Sequence, residues 1–191
     1  MTERPTKEEI AAAFGRTIPD VIGPGLDVLF VGINPSLYSG ATGHHFARPG
    51  NRFWPSLHLS GFTPRRLGPH EKEELLRFGL GVTNLVARST ATAAELTPRE
   101  VKEGAKTLVG KLERYEPEWV AFLGIGTYRL AFDRKKAVVG PQDERIGPAR
   151  AWLLPNASGL NAHYQLPDLA EAFARLRVAA GVARRNRRPD R

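Results

Sequence analysis

The chain of 191 residues is 41% hydrophobic and 25% charged, carries a formal net charge of +8 and contains no cysteine. It is long enough for one domain that buries about 70% of its unfolded surface, and too evenly composed to be disordered throughout. The missing cysteine excludes a disulfide scaffold, cysteine-ligated zinc, an iron–sulfur cluster and a cysteine nucleophile, and no apolar run approaches the ~20 residues of a membrane-spanning helix.

In chain order, Thr6 to Phe14 opens with Thr-Lys-Glu-Glu, a capped helical first turn. Val28–Ile33 is a continuous apolar run, the pattern of a strand covered on both faces. About 20 residues follow without an obvious element, up to a short helix expected over Asn51–Leu59 despite Pro55. Glu71–Phe78 reads as helix and Gly81–Val86 as a second buried strand. Thr97-Pro-Arg-Glu-Val starts the longest helix, with threonine as cap, proline at the first position and glutamate at the third; it runs to Tyr115 and stops before Pro117. Trp119–Ile125 is the third strand, Thr127–Asp133 a short helix, Ala151–Leu154 the fourth strand and Leu166–Ala180 the closing helix. Strands alternating with helices predict an α/β fold, a three-layer α/β/α sandwich around a mainly parallel four-stranded sheet. Ligands bind such sheets at the carboxyl ends of the strands, so the loops after 33, 86, 125 and 154 are the places to look.

The charge is uneven. Between Arg175 and Arg191 stand seven arginines and one acid, a net +6, which leaves +2 for the body. Arg184, Arg185, Arg187 and Arg188 are either an arm that neutralises phosphates or a solvated terminus.

Two loops hold the chemistry. The first runs from Gly32 to Trp54 and contains His, Asn, Arg and four aromatic residues. Pro35 pushes Asn34 toward extended backbone at a strand end. There its amide either faces a ligand above the sheet or caps a turn. The second, Pro155 to Tyr164, carries Leu160 in polar, glycine-containing surroundings, either packed beneath the loop or projecting as a wedge that replaces an extruded base. The adjacent pair His44-His45 points apart in an extended loop and lacks a third ligand, so no metal is expected. Gly124-Ile-Gly126 reads as a tight strand-to-helix turn, with a phosphate-binding loop as the weaker alternative.

Gly32-Ile-Asn-Pro35, Gly43-x-x-Phe46 and Asn51-Arg-Phe-Trp54 together resemble the first motif of the mismatch-specific uracil-DNA glycosylases, the group that includes the thymine-DNA glycosylases. Asn156-Ala-Ser-Gly-Leu160 resembles their second motif, with Ala157 where proline is usual. Gly81-Val-Thr-x-Leu-Val86 and Leu123-Gly124 fall in the expected order, and the resemblance covers roughly residues 25–180.

The resemblance implies a uracil-DNA glycosylase-like fold over residues 1–180, followed by a basic arm at 181–191. It also implies a monofunctional enzyme that hydrolyses the N-glycosidic bond of uracil opposite guanine in duplex DNA, acting as a monomer, without cofactor, in the cytoplasm. Asn34 matches the catalytic asparagine, an amide that orients water because it has no pKa suited to a base. Phe46 is expected to stack on the flipped base, with backbone amides near Ile33 and Phe46 on its carbonyl oxygens. Ser39 and Asn84 fall where the family tunes tolerance for a 5-methyl group, and Asn156 matches a pocket residue. Leu160 matches the wedge, with Ser158, Gly159, Asn161 and His163 around it on the DNA side. Asn161-Ala-His163 stands where serine and arginine often follow the wedge, and Ser36 where glycine is usual. The loop Ala91–Ala94 offers no ionisable group, so chemistry slower than in glycosylases with an aspartate in the first motif is expected. The alternative reading is a binder of mismatched or abasic DNA with little or no turnover.

Overall fold

The computed structural model describes residues 4–182; the arginines at 184–188 lie outside them. The organising element is β1 (Val28–Gly32), whose five residues are all buried. Successive side chains of a strand point to opposite faces. Val28 and Phe30 therefore enter one core, with Phe53, Leu57 and Phe173. Leu29 and Val31 enter the other, with Leu108, Leu112 and Tyr128. A strand apolar at every position can be satisfied only when both of its faces are covered.

Both cores need helices. α1 (Lys7–Ala11), α2 (Leu37–Thr42) and α3 (Phe53–Leu59) precede β2 (Leu80–Asn84). After it come α4 (Pro98–Tyr115), β3 (Trp119–Leu123), α5 (Ile125–Phe132), β4 (Gly140–Ile146), β5 (Ala149–Leu154) and α6 (Leu166–Ala179). α3 and α6 pack together over the face that holds Phe30, and α4 and α5 over the face that holds Leu29. The sheet order is β2-β1-β3-β5-β4. β1 pairs in parallel with β2 and β3, and β3 with β5, whereas β4 runs antiparallel to β5. The three-layer α/β arrangement is as expected. The strand order changes direction at β1, which has β2 on one side and β3 on the other, and this opens a crevice above the carboxyl ends.

The sheet has five strands rather than four. β4, Gly-Pro-Gln-Asp-Glu-Arg-Ile, alternates between buried and exposed positions and lies at the edge, where polar side chains and Pro141 are tolerated. The stretch after β1 is also not free of structure. Ser36 caps α2, its hydroxyl accepting from the Ser39 amide at 3.1 Å, and Gly43 ends the helix at φ 72°. Leu-Tyr-Ser-Gly-Ala-Thr has no apolar period that would mark such a helix in sequence. Pro55 sits in the first turn of α3, where a missing N–H breaks no hydrogen bond. The segment Pro69–Phe78 is 3₁₀ with a kink at Glu71 rather than regular helix. Gly124, at φ 132°, turns β3 directly into α5.

Candidate active site

Four parallel strands deliver their carboxyl ends to one open cleft of about 430 Å³. β1 supplies Gly32 and, beyond it, Ile33 and Asn34; β2 supplies Asn84; β3 supplies Leu123; and Asn156 follows β5. Ser39 and Phe46 come from the loop after β1, and Ser158 and Leu160 from the loop after β5. None of the described residues lining the cleft is Asp or Glu, and Arg48 is the only Lys or Arg among them.

Asn34 is held by its amide nitrogen. Nδ2 donates to the Arg88 carbonyl at 3.0 Å and to the Thr90 hydroxyl at 2.7 Å. A carbonyl can only accept, so these contacts fix which end of the amide is nitrogen. Both N–H groups are thereby used, and the group Asn34 has left for the cleft is Oδ1, an acceptor. Thr90 in turn donates to the Thr92 carbonyl at 2.7 Å, which fixes its hydroxyl as the acceptor facing Asn34.

Phe46 stands in the left-handed region at φ 52°. A non-glycine residue there is an uncommon, strained conformation. The turn separates two neighbours with opposite tasks: His45 goes into the interior, 1% exposed, while Phe46 lines the cleft. The Phe46 ring is backed by Phe53, with centroids 4.2 Å apart. It also closes over Gly32. A Cβ at position 32 would stand 3.1 Å from the ring and 2.6 Å from Asn84 Oδ1. Glycine at the end of β1 is therefore what lets an aromatic ring and an amide meet over the strand.

Leu160 is 74% exposed at the cleft mouth, a position no core role explains. The Pro155–Tyr164 loop is shaped by its own polar side chains. Asn156 Oδ1 accepts from the Ser158 amide at 2.9 Å, and Asn161 Nδ2 donates to the Asn156 carbonyl at 2.9 Å. The two conspicuous loops of the sequence thus meet around one cavity.

Residues 19–177 match the family described as the uracil DNA glycosylase superfamily. The chain belongs to the uracil DNA glycosylase superfamily. It is also similar in fold to a solution NMR structure of a uracil DNA glycosylase candidate from Methanosarcina acetivorans. The TM-score is 0.61 and the identity 18%, over 86% of this chain and 98% of that one. At that identity the likeness concerns the fold.

In this member of the superfamily, some expected site residues are placed differently from their neighbours. Ser39 reaches the cleft wall, and its hydroxyl oxygen accepts from Ser36 Oγ and from the Ala47 amide, both at 3.2 Å. His163 is exposed, and like Gly159 and Asn161 it is not part of the cleft wall. Its amide donates to Asn161 Oδ1 at 3.1 Å. Asn156 is both exposed and on the wall. Ser36, where glycine is usual, has a local reason as the cap of α2. Glu95 does not line the cleft; it accepts from the Thr92 amide at 2.9 Å and closes a turn.

Three residues given no role by the sequence shape this cleft. Thr90 orients Asn34. Arg52 donates to three carbonyls of the second loop. His45 holds Asn84: its Nε2 lies 2.9 Å from the Pro19 carbonyl, which requires a proton on that nitrogen. Nδ1 is then a bare acceptor for Asn84 Nδ2 at 3.3 Å. Burial pushes the pKa of His45 down to about 4, opposed by the Pro19 hydrogen bond, so the ring is neutral at physiological pH. Long-range hydrogen bonds of this kind leave no spacing signal. The pair His44-His45 was visible, but not which of the two turns inward.

Proposed function

We propose that the protein is a monofunctional DNA glycosylase of the mismatch-specific branch, which removes uracil from duplex DNA, preferentially opposite guanine, and leaves an abasic site. The observation that carries this reading is the convergence of Asn34, Phe46 and Asn84 on one cleft with an exposed leucine at its mouth. A base inside a duplex is out of reach, so it must rotate out at a cost of a few kcal/mol, less for a mispaired base. Leu160 fills the vacated stack, with Ser158, Gly159, Asn161 and His163 beside it on the DNA side. Phe46 stacks on the extruded base, a contact worth roughly 1–3 kcal/mol. Asn84 and Asn156 face its polar edge, Asn84 with the amide end that His45 leaves free.

The reaction is hydrolysis. The bond between the sugar C1′ and the base nitrogen breaks, uracil leaves with the bonding electrons as an anion, and water adds its oxygen to C1′ and loses a proton. Asn34 Oδ1 accepts a hydrogen bond from that water and so aims its lone pair at the sugar. Backbone amides near Ile33 and Phe46 stabilise the negative charge on the departing base. With no carboxylate among the described residues of the cleft wall, the proton passes to solvent and no general base assists; such help is worth about 10²–10⁴ in rate. The same reading has the chain work as a monomer beside the chromosome in the cytoplasm, with 1–180 as its glycosylase domain and 181–191 as a DNA-binding arm, without cofactor. Its test is a duplex with one uracil opposite guanine, incubated with excess enzyme and treated with alkali: strand breakage at the uracil is expected, and an intact strand refutes the reading.

The absence of an acid among the described cleft residues favours one second reading, a binder of mismatched or abasic DNA that releases no base. Single-turnover base release separates the two.

A further inference from the structure

Resting on the glycosylase reading, we infer that Arg52 is a positioning residue that sets the wedge Leu160 at a fixed place relative to the base cleft. Arg52 closes the loop that carries Asn34 and Phe46, as the residue before α3. Its backbone amide donates to the Ala157 carbonyl at 2.8 Å. Its guanidinium spans the second loop: Nη1 donates to the Asn161 carbonyl at 3.0 Å and to the Tyr164 carbonyl at 2.6 Å, and Nη2 to the Gly159 carbonyl at 3.1 Å. Carbonyls on both sides of Leu160, at 159 and 161, therefore point at one planar cation while the leucine side chain stands out in solvent. The two loops also touch directly. A Cβ at Gly159 would stand 2.5 Å from the Gly50 carbonyl oxygen.

The chemistry suits a strut. A guanidinium presents donors in a rigid planar fork and can hold several acceptors at once; an ammonium on a flexible stem is a point charge. Backbone carbonyls carry no net charge, so the arrangement fixes shape without consuming an acid. A wedge works only if it enters the stack at the register from which the base has left. Arg52 sets that register, because the stretch it terminates contains Asn34 and Phe46.

The alternative is that Arg52 contacts a phosphate and its carbonyl contacts are incidental. The experiment uses the full chain with Arg52→Lys, Arg52→Met, Leu160→Ala and the double variant Arg52→Met/Leu160→Ala. It measures affinity for a duplex with one tetrahydrofuran abasic analogue opposite guanine, affinity for an undamaged duplex, and uracil release. We expect both Arg52 variants to lose about tenfold or more in abasic-duplex affinity and in uracil release. The double variant should fall no further than Leu160→Ala alone, because one act is being removed twice. Undamaged-duplex affinity and its salt slope should stay unchanged. Wild-type affinity in Arg52→Lys, multiplied losses in the double variant, or equal weakening on undamaged DNA with a salt slope reduced by about one each overturns the inference. Near-ultraviolet circular dichroism and the thermal midpoint check folding. Should Arg52→Met unfold, Arg52→Lys and a double variant built on it carry the same comparison. Wild type that binds the abasic duplex but releases no uracil sinks the glycosylase reading alone, because the binding arm still judges Arg52. Wild type that does not distinguish abasic from undamaged duplex overturns both.

Discussion

The amide nitrogen of Asn34 and the hydroxyl of Thr90 lie 2.7 Å apart, on loops that follow two different strands. With the Arg88 carbonyl on the other N–H, this contact leaves the asparagine a single orientation. Removing Thr90's hydroxyl as Thr90→Val should therefore slow uracil release under single-turnover conditions by about tenfold, comparable with one lost neutral hydrogen bond of about 1 kcal/mol and some loss of aim. Abasic-duplex affinity should hardly change. Asn34→Ala should cost more, about 10²-fold or beyond, again in release rather than affinity. A Thr90→Val enzyme as fast as wild type would show that Asn34 needs no support from this side.

Arg88 offers the other half of that support. Its carbonyl accepts from Asn34, while its guanidinium pairs with Glu100 at 2.5 Å and donates to the Glu95 carbonyl at 3.1 Å. The arginine beside it holds the Glu100 carboxyl down to about 2, with help from Thr97, so the pair stays charged throughout the neutral range. A pair this open to solvent contributes little to stability. Glu100→Gln is thus expected to leave the thermal midpoint within a few degrees while lowering uracil release severalfold, as the segment under Asn34 loosens. An unchanged rate with a large fall in midpoint would reverse this assignment.

Gly32 is the floor beneath two site residues. A methyl group there meets Asn84 Oδ1 at 2.6 Å and the Phe46 ring at 3.1 Å, distances that require both to move. Gly32→Ala should cost about 1–3 kcal/mol of stability as overpacking, read by urea unfolding, and should raise KM for uracil-containing duplex at least tenfold. A variant with normal KM would mean that Asn84 and Phe46 do not meet the base.

Leu160 makes the opposite prediction. At 74% exposure its truncation removes almost no buried surface, so Leu160→Ala should leave the thermal midpoint unchanged within error. Uracil release from a G:U duplex should nevertheless fall about tenfold or more, and less from a duplex in which the uracil is unpaired. Equal losses on both substrates would argue against a wedge.

His45 sets a pH dependence. Its pKa is near 4 in the folded chain against an ordinary 6.5. Above pH 6.5 the ring is neutral whether folded or unfolded, and it contributes no slope. Between 6.5 and 4 the unfolded chain takes up a proton that the folded chain refuses, so stability falls with pH across that window, by up to about 3 kcal/mol. Urea unfolding at a series of pH values should show this fall, and His45→Phe should lack that part of it. An identical slope in the variant would place the titration elsewhere.

Much of this protein is legible along the chain. The apolar runs at β1 and β3, and the largely apolar ones at β2 and β5, with helices between, fit a parallel sheet covered on both sides, since a strand such as β1 that is apolar at every position needs both faces buried. Thr97-Pro-Arg-Glu marks the start of α4 by local chemistry alone, and the helix begins at Pro98. The motif letters single out Asn34, Phe46 and Leu160. Polar β4 and short α2 escaped because an edge strand needs no apolar alternation and a six-residue helix held by Ser36 needs no apolar stripe.

The amino-acid order by itself therefore determined the layers of the fold and which loops carry the chemistry, since burial patterns and caps act within a few residues of one another. Only the tertiary structure decided how the site is held: that Asn34 has its nitrogen occupied by Thr90 and the Arg88 carbonyl and keeps its oxygen as the unused acceptor, that His45 rather than His44 goes inside to grip Asn84, and that Arg52 reaches more than a hundred positions along the chain to the carbonyls around Leu160. These contacts join loops that follow different strands. Hydrogen bonds at such separations depend on where the sheet brings the backbone, and no local periodicity encodes that.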